Sequence, residues 1–147
     1  MHLWIDCEWS ESGQLISMAL VDTHDREFYE VLDCADPGEW QAKHVMPILN
    51  KSPVAVEYFK QALGAFLQRY HFVHVVADWP QDIAQFCEAL IVGPGLRLDT
   101  PPLTMEVLRI EGVSALPHNA LEDAKAFKFA CNLEETRRRK ALEKEKA

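Results

Sequence analysis

The first 32 residues alternate at strand period and are broken by two tight turns, and this limits the possible folds more than any other feature. Leu3, Ile5, Cys7 and Trp9 fall on one side of a strand over Leu3 to Trp9, and Trp4, Asp6 and Glu8 on the other. Ser10 to Gly13 reads as a hairpin turn, in which glycine tolerates positive φ. Gln14 to Val21 is apolar enough for a central strand, Thr23 to Arg26 turns again, and Glu27 to Leu32 forms a third strand. Consecutive strands with such short connections predict an antiparallel meander.

The period then changes. Trp40 to Leu49 reads as a short helix. Ser52 and Pro53 have the form of a helix start, a serine cap followed by proline at the first position. The helix they predict buries Phe59, Leu63, Phe66, Leu67 and Tyr70. Phe72 to Ala77 is a β-branched fourth strand, Asp78 to Leu90 a helix, and Leu103 to Ile110 a fifth strand. Between them, Gly93 to Gly95 and Thr100 to Pro102 bracket a loop. Asn119, with Glu122 three residues on, opens the last helix as a capping pair. Its apolar positions run from Leu121 to Leu133. The expected fold is α/β, a mixed five-stranded sheet flanked by helices: three antiparallel strands, then β-α-β.

A chain of 147 residues suits one domain, placed at residues 1–136, with residues 137–147 as a charged helix end or tail. That last segment holds six basic and two acidic side chains, which leaves nine basic and 21 acidic over residues 1–136, a net charge of −12. An acidic body argues against wrapping long nucleic acid by phosphate neutralisation. It does not exclude a short nucleic-acid end reached through bound cations, which invert the local charge logic. Arg137 to Lys140 reads as a solvated helix end rather than a nucleic-acid patch. No apolar run approaches the ~20 residues of a membrane helix, and Asp6 and Glu8 interrupt any signal-like segment. Cys7, Cys34, Cys87 and Cys131 lie far apart, without metal-type spacing. Reduced thiols in a cytoplasmic protein without a membrane anchor are expected.

Three places combine residues able to do chemistry. Asp6 and Glu8 share one strand face about 7 Å apart, from a rise of ~3.3 Å per residue. Two like charges there repel and are costly to bury unpaired, so a cation should sit on them. A surface face or a salt bridge is the plainer reading, and Asp25 and Glu27 repeat the spacing in a polar turn. His118 lies just before the last helix and Asp123 in its second turn, with Glu122 taken up by capping. Asp78 has a capping form with Gln81, which gives it a structural task; Asp82, one turn further, has none. Asp82 is thus the preferred mid-chain acid and Asp78 the second choice.

Together, Asp6-x-Glu8, the mid-chain Asp82 and His118-x4-Asp123 resemble the three motifs of the DEDDh 3′–5′ exonuclease family. Trp79 to Phe86 is similar to the second motif, and His118 to Ala124 to the third. Within that family the chain looks most like the small bacterial 3′–5′ exoribonucleases typified by a mycobacterial enzyme. The resemblance implies a ribonuclease H-like fold and hydrolysis of single-stranded RNA or short oligonucleotides to nucleoside 5′-monophosphates. It implies two ions, Mg²⁺ or Mn²⁺, held by Asp6, Glu8, Asp82 and Asp123, with His118 as general base. Hard oxygen ligands suit those ions, and imidazole exchanges protons near neutral pH. Trp9 stands where many members have threonine. Trp9 and Trp79 are candidates for stacking on bases, although core packing explains either as well.

Three alternatives stay open at this level: a DNA exonuclease of the same family, a non-catalytic nucleic-acid-binding module on the same fold, and a thiol hydrolase. The last is weakest, because no cysteine lies in a nucleophile turn. The long last helix and the resemblance also point to a homodimer.

Overall fold

A computed structural model describes residues 1–146. In chain order the elements are β1 (His2–Trp9), β2 (Leu15–Asp22), β3 (Glu27–Val31), α1 (Glu39–His44), a 3-10 turn (Met46–Ile48), α2 (Val56–Leu67), β4 (Val73–Ala77) and α3 (Pro80–Ala89). There follow β5 (Ile91–Gly93), β6 (Leu96–Arg97), β7 (Leu103–Val107) and α4 (Ala120–Glu145). Five strands form one mixed sheet in the order β3-β2-β1-β4-β7. The β1, β2 and β3 strands pair antiparallel, whereas β1, β4 and β7 run parallel. Gly13 takes φ 89° in the first turn, as the sequence requires.

The alternation in β1 assigns its two faces to two layers. Leu3, Ile5 and Cys7 join Met18, Leu20, Val73, Val75 and Ala77 under α2 and α3, which contribute Phe59, Leu63, Phe66, Leu67 and Phe86. Tyr70 is buried with them, although α2 has ended by then. On the opposite face Trp4 and Val76 meet Phe127 and Cys131 of α4. Beside them Ala19 and Val21 meet Ala120 and Ala124. Those four small side chains let the start of α4 lie close to the sheet. Asp6 pairs in register with Ala19, so this close approach occurs beside the carboxylates of β1.

Several boundaries differ from expectation. Ser52 and Pro53 do not start α2, whose N-cap is Ala55, without a side-chain cap. Val54 instead donates its N–H to Val31 O at 2.8 Å and bridges to Leu32, so sheet-edge pairing holds this segment extended. Trp40 to Leu49 is not one helix: Pro47, without an N–H, breaks it into α1 and the 3-10 turn. Asp78 does not cap α3, whose N-cap is Trp79, so the capping task assigned to it is absent. The loop around Gly93 to Gly95 is a small antiparallel ribbon of β5 and β6. The fifth sheet strand ends at Val107 rather than Ile110. Asn119 does cap α4, accepting from the Glu122 N–H at 3.2 Å. The Glu122 carboxylate, however, turns to Lys125 rather than back to the cap. Helix α4 continues unbroken through residues 136 and 137. None of the described helices is long and apolar enough to cross a membrane.

Candidate metal centre

The sheet opens where the acids gather. The β1–β4 pairing runs from His2 with His74 only as far as Trp4 with Val76. Beyond it the Cys7 N–H has no β4 partner and donates instead to Asp82 Oδ1 at 3.0 Å. Asp82 belongs to the first turn of α3, close to the positive helix end that suits a carboxylate. It is 1% exposed. Asp6 projects from β1, and Asp78 follows β4 directly. The cluster therefore lies at the C-terminal ends of parallel strands, where open α/β sheets form their crevices.

Helix α4 brings the remaining groups. Asp123 sits in its first turn. The Asp123 Oδ2 accepts the main-chain N–H of His118 at 2.9 Å, which fixes the carboxylate against the preceding loop. His118 adopts φ 70°, a left-handed conformation uncommon outside glycine. Its side chain is exposed, and its ring meets the Trp40 ring edge-to-face at 4.9 Å between centroids.

Two groups of ligand-type atoms result. Asp6, Asp78 and Asp82 offer oxygens all within 4.8 Å of one another. Glu8, His118 and Asp123 do likewise. An open cleft of about 400 Å³ runs along them, lined by Asp6, Asp78, His118 and Asp123 together with the loop Gly112 to Ser114. Gly112 is required by close approach: a Cβ there would meet the Ala126 carbonyl carbon and oxygen at 2.7 Å, on the α4 backbone.

The electrostatics of this centre are unbalanced. Among the described residues no lysine or arginine pairs with Asp6, Glu8, Asp78, Asp82 or Asp123. Burial, with the negative charges of Asp82 and Glu8, pushes the Asp6 carboxyl well above the usual range. Burial and the Asp123 and Asp82 charges hold Glu8 up to about 8. Burial and Asp78 hold Asp82 up to about 8, against the opposing hydrogen bond from Cys7. Asp78 and Asp123 are raised for the same first reason, burial. Asp6 Oδ2 and Asp123 Oδ1 are buried without a hydrogen-bond partner. Buried orphan carboxylate oxygens are rare unless protonated or paired with a cation. All-oxygen donors beside one imidazole suit a hard divalent ion, so the residues present fit metal binding.

The sequence-derived residues separate here. Asp6, Glu8, Asp82, His118 and Asp123 converge. Asp78, ranked behind Asp82, joins Asp6 and Asp82 instead of standing as an alternative to Asp82. Trp9 is half-buried and packs on the larger core. Trp79 is 48% exposed, with the Arg109 guanidinium 5.0 Å over its ring. Two neighbours escaped the sequence reading: Arg109, whose charge also reaches Asp78, and Trp40, which touches the His118 ring. Nothing in the sequence linked Trp40 to His118, because their contact depends on how the segment after β3 folds back. All four cysteines are free. Burial, followed by the neighbouring acids, pushes the Cys7 thiol well up, which disfavours it as a nucleophile.

A scan against protein-family models gives no match to this chain, and a search of curated proteins gives none either.

Proposed function

We propose that the chain is a metal-dependent 3′–5′ exoribonuclease, with a ribonuclease H-like arrangement and a site of the DEDDh type. One observation carries this reading: five carboxylates, among the described residues without a lysine or arginine partner and with two of their oxygens buried and orphaned, gather beside one histidine, and three of them line an open cleft with it. Such a cluster repels itself, and divalent cations would relieve the repulsion. When bound, Mg²⁺ or Mn²⁺ supplies Lewis-acid activation of the scissile phosphate and stabilises charge on the leaving oxygen.

The chain's own residues supply holding and proton transfer. Asp6, Glu8, Asp82 and Asp123 would hold the ions, with Asp78 beside them. His118, at the exposed rim, accepts the proton of the attacking water at an imidazole nitrogen. The water oxygen bonds to phosphorus, the bond from phosphorus to the 3′ oxygen breaks, and solvent protonates that oxygen. A nucleoside 5′-monophosphate leaves. The acidic surroundings favour short single-stranded ends over long duplexes. The choice of RNA over DNA rests on the resemblance to the small bacterial exoribonucleases.

Matched RNA and DNA oligonucleotides, incubated with Mn²⁺ and analysed for released nucleotides, test this. The proposal expects 5′-monophosphates, released faster from RNA. Faster release from DNA would reassign the substrate, and 3′-monophosphates would overturn the chemistry.

A further inference from the structure

We infer that Trp40 is a positioning residue for His118: its indole sets the direction of the imidazole that takes the proton. The inference rests on the hydrolytic reading above. His118 needs such a support. It lies in a loop, its side chain is exposed, and its backbone is held at φ 70°. Its main-chain N–H is committed to Asp123, but among the described residues no side-chain hydrogen bond or ion pair fixes the ring. Oxygens of Glu8 and Asp123 lie within 4.8 Å of one ring nitrogen without hydrogen-bonding to it, and the side chain the ring packs on is Trp40, edge-to-face at 4.9 Å and 83°. This is a preferred geometry for aromatic pairs. The other ring beside Trp40 is that of His44, its centroid also at 4.9 Å.

The support is itself anchored. Residues 38–49 are tied to the start of α4, not left as a free flap. Asn119, the α4 cap, donates its side-chain amide to Ile48 O at 2.8 Å. The Tyr29 hydroxyl donates to Leu49 O at 2.7 Å. Val45 and Leu49 are buried with Ile16 and Val31. Trp40 and His118 thus ride on segments locked to the same point of the fold, and Trp40 is 49% exposed. A base positioned a fraction of an ångström off line loses rate steeply, which gives this contact kinetic weight.

The test compares Trp40→Ala and Trp40→Phe with the wild-type chain, by NMR of the His118 Hα–Hβ couplings in metal-free protein and by steady-state kinetics on short RNA. The inference expects the wild-type His118 side chain to hold one χ1 rotamer and Trp40→Ala to average it over several, while backbone amides outside residues 38–49 and 116–123 stay put. It expects kcat to fall by about 10- to 100-fold with KM nearly unchanged, and Trp40→Phe to restore most of it. A His118 side chain that keeps its single χ1 rotamer in Trp40→Ala would overturn the inference. So would a raised KM with intact kcat, which would make Trp40 a platform for a substrate base. If the wild-type chain degrades no RNA, the hydrolytic reading fails, and the NMR comparison still decides whether Trp40 orients the His118 ring.

Discussion

The Cys7 backbone N–H donates to the Asp82 side chain at 3.0 Å, joining the middle of β1 to the first turn of α3. One oxygen of Asp82 thus closes the gap left where β1 and β4 part, while the carboxylate stays among the oxygens of Asp6 and Asp78. Asp82 has a structural bond and a chemical position at once. Asp82→Asn keeps an acceptor for Cys7 and removes a charge; Asp82→Ala removes both. Relative to Asp82→Asn, Asp82→Ala is expected to be less stable by about 1–3 kcal/mol, because a buried N–H loses its partner. Both are expected to lose about 10²-fold or more in rate, as removing preorganised charge does. Denaturant unfolding of the two variants, read beside their activity, checks the separation.

Without metal, stability should fall as pH rises. Glu8 and Asp82 are held up to about 8, and Asp6 is raised as well. In the unfolded chain such groups ionise near about 4. Between about pH 4 and pH 8 the folded state binds more protons than the unfolded state, so stability declines through that window. This is the reverse of a carboxylate held low by a salt bridge. Thermal melts in EDTA should give a lower Tm at about pH 8 than at about pH 5.5. A Tm that rises over this interval would contradict the burial of these carboxyl groups.

Divalent cations should reverse that trend. A ligand that binds only the folded state at a hundred times its Kd stabilises by about 2.7 kcal/mol. Ligation needs deprotonated carboxylates, so Mg²⁺ or Mn²⁺ should raise Tm more at about pH 8 than at about pH 5.5. Asp6→Asn should abolish most of the rise. Melts with and without metal at the two pH values check both statements.

His118→Asn separates chemistry from folding. Asparagine tolerates the left-handed backbone that His118 adopts at φ 70°. The His118 side chain is exposed, so unfolding stability should change by no more than about 0.5 kcal/mol. The loss of a general base should lower kcat by about 10²- to 10⁴-fold. A stable variant with unchanged kcat would remove His118 from the mechanism.

Gly112→Ala tests the wall of the cleft. Its Cβ would press on the Ala126 carbonyl group, which belongs to helix backbone and has little room to yield. The loop must then lift from α4, with an expected cost of about 1–3 kcal/mol from overpacking. Chemical denaturation of the variant measures it.

Much of this arrangement was legible where one residue type had one physical role. The alternation of Leu3 to Trp9 assigned the faces of β1, and hence placed Asp6 and Glu8 together. Asn119 marked the start of α4 because a cap needs that side chain next to free N–H groups. Sequence reasoning went astray where a local signal met a tertiary competitor. Ser52 and Pro53 have helix-start chemistry, but Val54 is claimed by the sheet edge. Asp78 and Gln81 have capping form, but the helix begins one residue later, and Asp78 faces the other acids. Trp40 and Arg109 carried no one-dimensional signal, since their neighbours come from distant segments.

The most direct measurement is a time course on a 5′-labelled single-stranded RNA oligonucleotide with Mn²⁺, with Mg²⁺ and with EDTA, for the wild-type chain and Asp6→Asn. The proposed function predicts a ladder that shortens from the 3′ end with metal, and intact RNA with EDTA or with Asp6→Asn. RNA left intact by the wild-type chain under every condition, or shortening that persists in EDTA, would contradict it.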